Sequence, residues 1–201
     1  MDLEKTATRR RGQELENAIL DAAWDQLVEA GYSGFSYEAI AARAGTSRPV
    51  LYRRWARRED LLVAVLQKFW FSQPIEVPDT GSLRDDVVGF LRNANAGRSR
   101  ILTVISVQLM DYFRDTGTSF GELREVLHVP ERATGAEQIL TRAVARGEIP
   151  DAPLPPRVIN LPFDLMRHEI FMTMREIPDA TLLQIVDDVW IPLLRQYGAK
   201  I

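Results

Sequence analysis

Apolar side chains return along this chain every three or four positions, the spacing that lines one face of a helix. Leu15, Ile19, Ala22, Ala23, Leu27 and Ala30 trace the first such face, and Gly31 is its natural stop. Ser36 suits the N-cap of a short helix whose inner stripe is Ile40, Ala41 and Ala44, with Glu38 in the first turn and Gly45 at the end. Ser47 suits the cap of the next, Arg48 through Trp55, where Pro49 falls in a first turn that has no use for its missing N–H. After Arg57-Arg58-Glu59-Asp60 another stripe runs through Leu61, Leu62, Val65, Leu66 and Phe69. Residues 73–82 are rich in turn formers and predict a linker. Helical spacing resumes over 83–96, 99–114, 118–128 and 131–146 and breaks at Gly147 and the proline-bearing stretch 149–156. It returns over 157–176 and 179–197, parted near Pro178. No segment alternates with period two between turns, and no internal repeat is present, so the expected fold is all-α.

The segment from Ser36 to Trp55 has the form of a helix-turn-helix. Its first helix is small-sided where the second must cross it, at Ala41 and Ala44, and its turn holds a residue tolerant of positive φ, Gly45. In the second helix Leu51 and Trp55 are four apart and turn inward together, which leaves Pro49, Val50 and Arg53 on the side roughly 180° away. Arg48 stands at the helix start, from which recognition helices reach base edges; its fork matches the two acceptors of guanine, and Pro49 and Val50 match thymine methyl groups. Base-reading candidates are therefore Arg48, Pro49, Val50 and Arg53. Hydroxyls at helix starts (Ser36, Thr46 and Ser47), the flanking Tyr52, and Arg57 with Arg58 at the next helix are candidates for phosphate contact.

Charge bears on that reading. The chain has 201 residues and a formal charge of −3, which taken whole argues against a general nucleic-acid coat. Yet from Ala39 to Arg58 the charged residues are Arg43, Arg48, Arg53, Arg54, Arg57 and Arg58, with no acid among them. A basic patch on an acidic body is the footprint of a face offered to a polyanion, although a solvated helix face has the same composition. There are no cysteines and only two histidines, His128 and His168, so disulfides, thiolate chemistry and Cys- or multi-His metal sites are excluded. No Gly-rich phosphate loop or nucleophile motif is present, so neither an enzyme nor a cofactor is expected; Glu/Asp acid–base chemistry is the option composition leaves open. The start is charged and carries no signal-peptide pattern, and the most apolar run, 101–110, is far shorter than the ~20 residues of a membrane span. A soluble cytoplasmic protein is expected. Residues 1–12 read as a disordered arm, with Arg9, Arg10 and Arg11 either entering a minor groove or solvated.

Gly31-Tyr32, Phe35-Ser36, Ile40-Ala41, Ala44-Gly45, Leu51-Tyr52, Trp55 and Arg58-Glu59-Asp60-Leu61 form an ordered set, over residues 13–68, that resembles the N-terminal domain of tetracycline-repressor (TetR) type regulators. The resemblance implies an all-helical homodimer. It implies a three-helix DNA-binding domain (13–58), a fourth helix as connector (about 59–71) and a larger ligand-binding and dimerising domain (83–201). It implies phosphate roles for Ser36, Tyr52 and Arg58 and base-reading roles for Arg48, Pro49, Val50 and Arg53. Trp55 stands where the family usually has phenylalanine, and Arg53 and Arg54 replace more commonly polar or aromatic residues, so the operator sequence does not carry over.

The C-terminal two-thirds shows no motif. Its last two helices are amphipathic, and a pair from each protomer would form a four-helix bundle; Leu161, Leu165, Ile185, Val189 and Leu193 are interface candidates, with packing inside one chain the alternative. Met110, Tyr112 and Phe113, then Phe163, Met166, His168 and Phe171, are candidates for the wall of an apolar effector pocket, with Tyr112 and His168 as polar anchors. Met172 and Met174 extend that stripe, and plain core is the alternative throughout. Asp187-Asp188 reads as a solvated face rather than a metal site. The function expected is a sequence-specific regulator, a repressor released from a palindromic double-stranded operator by a small molecule. The alternatives are a ligand-independent DNA-binding regulator and a helical protein-interaction module.

Overall fold

The computed structural model describes residues 12–72, 74–127 and 134–201. The arm with Arg9, Arg10 and Arg11, and His128, lie outside the described residues, as do the end of one expected helix and the start of the next. Every regular element among the described residues is helical: α1 (Gln13–Ala30), α2 (Tyr37–Arg43), α3 (Arg48–Arg54), α4 (Arg58–Phe71), α5 (Leu83–Gln108), α6 (Met110–Thr116), α7 (Phe120–Leu127), α8 (Gly135–Ala145), α9 (Pro156–Thr173), α10 (Asp179–Gln184), a π-helical segment (Ile185–Trp190) and α11 (Ile191–Gln196). None of these is long and apolar enough to cross a membrane.

The chain forms two compact units that do not follow chain order. The first holds the described residues up to Phe69 together with Gln108–Leu127, and the second holds Trp70–Val107 with the described residues onward to Ile201. In the first, α1 buries Ile19, Ala22, Ala23 and Leu27 as its spacing requires, and also Leu20 and Trp24, whose indole stacks on Phe69 at 4.1 Å. Ala30 is exposed. Gly31 ends the helix at φ 64, its N–H on the Leu27 carbonyl at 2.9 Å. The α6 segment joins this unit through backbone and ring contacts. The Tyr32 N–H donates to the Gln108 carbonyl at 3.0 Å, and Tyr112 sets its ring edge-on to Tyr32 at 5.3 Å.

The second unit is built on α5, one continuous 26-residue helix where two were expected. Gly97 costs a helix about 1 kcal/mol relative to alanine, too little to stop one whose buried stripe continues on both sides. That stripe runs Leu83, Val87, Leu91, Ala94, Arg98, Ile101 and Ile105. The linker is pinned rather than loose: Arg142 donates to the Pro78 carbonyl at 2.8 Å, and the wholly buried Asp86 carboxylate accepts from the Thr80 N–H at 2.6 Å and from Arg146 at 3.0 Å. Thr134 and Glu137 close a capping box at the start of α8, where each side chain accepts from the other's N–H.

Two prolines shape the C-terminal helices. Pro162 lies inside α9 and has no N–H to give the carbonyl four residues back, that of Val158. The indole N–H of Trp190 donates to that carbonyl at 2.7 Å, so a group orphaned by one helix is satisfied by another. Pro192 would have the same effect on an α-helix, and here the turn before it widens into the π segment, with the Ile191 N–H on Val186. The final helix is therefore not one uniform element. Asp187 is not merely solvated either; it forms a two-point ion pair with Arg84 at 2.6 and 2.7 Å.

Candidate nucleic-acid interface

The reading head is assembled by local chemistry. Ser36 sits at extended φ/ψ and its hydroxyl oxygen accepts from the Ala39 N–H at 3.2 Å, capping α2. At the other end Gly45 takes φ 64, its N–H reaches Ala42 at 3.3 Å, and the Thr46 N–H reaches Ala41 at 3.0 Å. This is a Schellman closure, and only a left-handed residue at Gly45 lets the chain double back into α3. Ser47 occupies the N-cap of α3 but makes no side-chain cap bond, contrary to expectation, so its hydroxyl is not spent on the helix. Trp55 is not the last residue of α3 but its C-cap, in extended conformation, half-buried, with its N–H on Leu51 at 2.9 Å. The Tyr37 hydroxyl donates to the Trp55 carbonyl at 2.7 Å and so ties the start of α2 to the end of α3. Burial pushes that phenol up to about 12, with Asp60, Tyr52 and Glu59 adding to the shift.

The exposure of α3 follows its periodicity at Leu51, Pro49 and Arg53 but only partly at Val50. Leu51 is fully buried, while Arg48, Pro49 and Arg53 are exposed and Val50 is half-buried. Tyr52 is exposed and rests edge-on against Tyr37 at 4.6 Å.

The six arginines of the basic patch are not equivalent. Arg43 forms a two-point pair with Glu29 of α1, and Arg54 bonds Glu16 at 2.6 Å and the Gly12 carbonyl at 3.3 Å. These two hold α2 and α3 onto α1. Arg57 is bound at 2.8 Å by Asp60, which also accepts from the Arg57 N–H at the start of α4; Asp60 is held below the usual carboxylate range by that guanidinium. Arg58 lies over the Tyr32 ring, 3.9 Å from its centroid. The Tyr32 hydroxyl donates to Glu59 at 2.6 Å, and burial followed by that bond pushes the phenol up to about 12. Arg48 approaches Glu38 only at 3.8 Å, with the two side chains 62% and 81% exposed, a pairing too solvated to hold it. Arg53 has no ion-pair or hydrogen-bond partner among the described residues. The arginine at the start of α3 and the one on its outward face are thus the two left disengaged.

The body residues separate. Met110, Tyr112 and Phe113 belong to the first unit, and Phe163, Met166, His168 and Phe171 to the second. Tyr112, Phe163 and Met166 are buried, Phe113 is half-buried, and Met110, His168 and Phe171 are on the surface of the chain, as are Met172 and Met174. The seven thus fall in two units, α6 packing into one core and α9 into the other. Of the interface candidates, Ile185 is buried in its own chain, Leu161, Leu165 and Leu193 are half-buried, and Val189 is exposed. One cation escaped the sequence reading. Arg98 is 9% exposed, its Nη1 is buried without a hydrogen-bond partner among the described residues, and its guanidinium lies 4.7 Å from the centroid of the Trp70 ring. The signal was present: Arg98 falls seven residues after Leu91 and seven before Ile105, a core position of an apolar stripe.

Two family models cover this arrangement. Residues 19–65 match "Bacterial regulatory proteins, tetR family", and residues 77–189 match "Tetracyclin repressor-like, C-terminal domain". The chain belongs to the tetR family. This TetR-family regulator is 28% identical over 190 residues to the DNA-binding transcriptional repressor TetR of Mycobacteroides abscessus, covering 94% of this chain and 98% of that one. It is 42% identical over 59 residues, 29% of this chain and 25% of the relative, to the transcriptional activator FasR of Mycolicibacterium smegmatis. Its fold is that of the flavonoid-responsive regulator FrrA, with a TM-score of 0.63 at 20% identity over 92% of this chain and 97% of that one. It is a DNA-binding transcriptional regulator.

Proposed function

We propose that this TetR-family chain is a homodimeric repressor that grips a palindromic operator through paired α3 helices and is released by a small-molecule effector. One observation carries the reading: α3 buries Leu51 and presents Arg48, Pro49 and Arg53 to solvent with neither arginine held by a close carboxylate. Arg48 and Arg53 read base edges through their forks, and Pro49 and Val50 meet thymine methyl groups. Ser36 spends an oxygen lone pair on its cap and keeps its O–H for a phosphate, and Thr46, Ser47 and Tyr52 offer hydroxyls around it. Arg57 and Arg58 reach phosphates only by leaving Asp60 and the Tyr32 ring, so theirs is the weaker share.

The repressor direction rests on the relative matched over nearly the whole chain; the activator is matched over a short segment only. Dimerisation through α9 and the π-containing final helix sets two α3 helices one turn of DNA apart, roughly 34 Å. An effector that binds the other spacing better shifts the population off DNA, and DNA must weaken effector binding by the same factor. A regulator of this kind acts in the cytoplasm, where its operator is, and performs no catalysis.

Selection of bound duplexes from a random library with the purified full chain, followed by titration, tests the reading. Arg48→Ala should cost about 1–3 kcal/mol at one base pair and relax specificity there. Ser47→Ala should weaken all sequences alike. Failure of the full chain to select any duplex, or loss of affinity with Arg48→Ala that is uniform across sequences, sinks it.

A further inference from the structure

α5 is an apolar strut with one wrong note. Its inward stripe is Leu83, Val87, Leu91, Ala94, Ile101 and Ile105, and at the intervening position stands Arg98, nine-tenths buried. A guanidinium placed there should be paired, because a buried charge left without a partner is among the most destabilising groups a fold can carry. Asp86 and Asn95 on the same helix obey that rule: Asp86 has Thr80 and Arg146, and Asn95 bonds both the N–H and the carbonyl of Ile177 at 3.0 and 2.9 Å. Arg98 does not. Among the described residues its Nη1 has no hydrogen-bond partner and no carboxylate pairs with it. Burial pushes its guanidinium below the usual arginine range, with no charged neighbour contributing. What it does have is the Trp70 ring, 4.7 Å from ring centroid to guanidinium carbon, which favours a cation but accepts no hydrogen bond in place of an anion.

We propose that Arg98, backed by Trp70, receives the anionic end of this regulator's effector, a carboxylate carried on an apolar body. The proposal rests on the reading that an effector binds in the C-terminal part of the chain, and it specifies the effector's chemistry. A single guanidinium is neutralised by a single negative charge, and its planar fork matches a carboxylate through two parallel bonds. A phosphate dianion would leave one buried charge uncompensated. The apolar body follows from the surroundings: Leu91, Ala94 and Leu102 belong to the hydrophobic cluster of this unit, and Trp70 packs against it.

The test uses the full chain with acetate, benzoate and octanoate, each beside its uncharged amide at fixed ionic strength, read by melting temperature and calorimetry. At least one carboxylate should raise the melting temperature by several degrees while its amide does not. Arg98→Met should fold with an equal or higher melting temperature, bind the selected operator as the wild type does, and bind that carboxylate about ten- to a hundredfold more weakly. Trp70→Leu should weaken the carboxylate while Trp70→Phe restores it. No carboxylate acting beyond its amide, an equal response in Arg98→Met, or a chain that cannot fold without Arg98 overturns the site. A carboxylate that binds at Arg98 yet leaves operator affinity unchanged keeps the site and removes the release mechanism, so the two failures are distinguishable.

Discussion

In the unit that carries the helix-turn-helix, basic side chains and carboxylates meet near the surface: Arg54 with Glu16, Lys68 with Asp21, and Arg43 with Glu29. Its interior is apolar and aromatic. The other unit has surface pairs as well, such as Arg84 with Asp187 and Arg92 with Asp179, but it also takes polar groups inside: the buried polar residues among those described, Asp86, Asn95, Arg98 and Ser99, all lie on α5. Solvated pairs orient helices at little cost and leave the remaining charges on display, as a surface that must meet DNA requires. Buried polar groups demand specific partners, so they select one arrangement of helices over its neighbours. A partner supplied from outside then becomes a means of choosing between arrangements.

Asp86→Ala should break the contrast most severely. It leaves the Thr80 N–H and hydroxyl without their acceptor and takes one carboxylate from Arg146, which keeps Glu148, at a cost of about 3 kcal/mol read by denaturant unfolding. A cost near that of a surface pair would show that α5's buried groups are ornaments. Burial alone would raise the Asp86 carboxyl, but the Thr80 N–H and hydroxyl and Arg146 outweigh it and hold it low. A carboxyl lower in the folded than in the unfolded chain adds stability above its unfolded value and loses it as pH falls. The wild type should therefore weaken below about pH 4, and Asp86→Asn should flatten that slope.

A smaller effect is expected where the C-terminal helices cross. Trp190→Phe removes the donor to the Val158 carbonyl and should cost about 1–3 kcal/mol, part of it packing. In a Pro162→Ala background the restored backbone N–H takes over that carbonyl, and the cost should shrink. Additivity of the two changes would mean that the indole bond does not compensate for the proline.

The surface pairs should give the least. Arg54→Ala should lower stability by under about 1 kcal/mol and leave base preference unchanged. Glu38→Gln, which removes the acid facing Arg48 at 3.8 Å, should tighten operator binding by less than about fivefold. A larger gain would show that Arg48 is tethered in the free protein.

The sequence by itself determined the reading head: Ser36 as cap, Gly45 as left-handed hinge and Leu51 turned inward are consequences of neighbours within four residues, which a chain carries in its local pattern. It also determined that the body is helical, since period and composition suffice for that. Tertiary structure decided which arginines remain disengaged, because Glu16 and Glu29 are 38 and 14 residues from the arginines they hold. It decided that α5 runs unbroken through Gly97, because burial on both sides outweighs one glycine. It decided too that the Val158 carbonyl finds its donor in Trp190, 32 residues away, and that Arg98 Nη1 meets no acceptor among the described residues. Periodicity says which way a side chain turns; only the packed chain says what waits there to meet it.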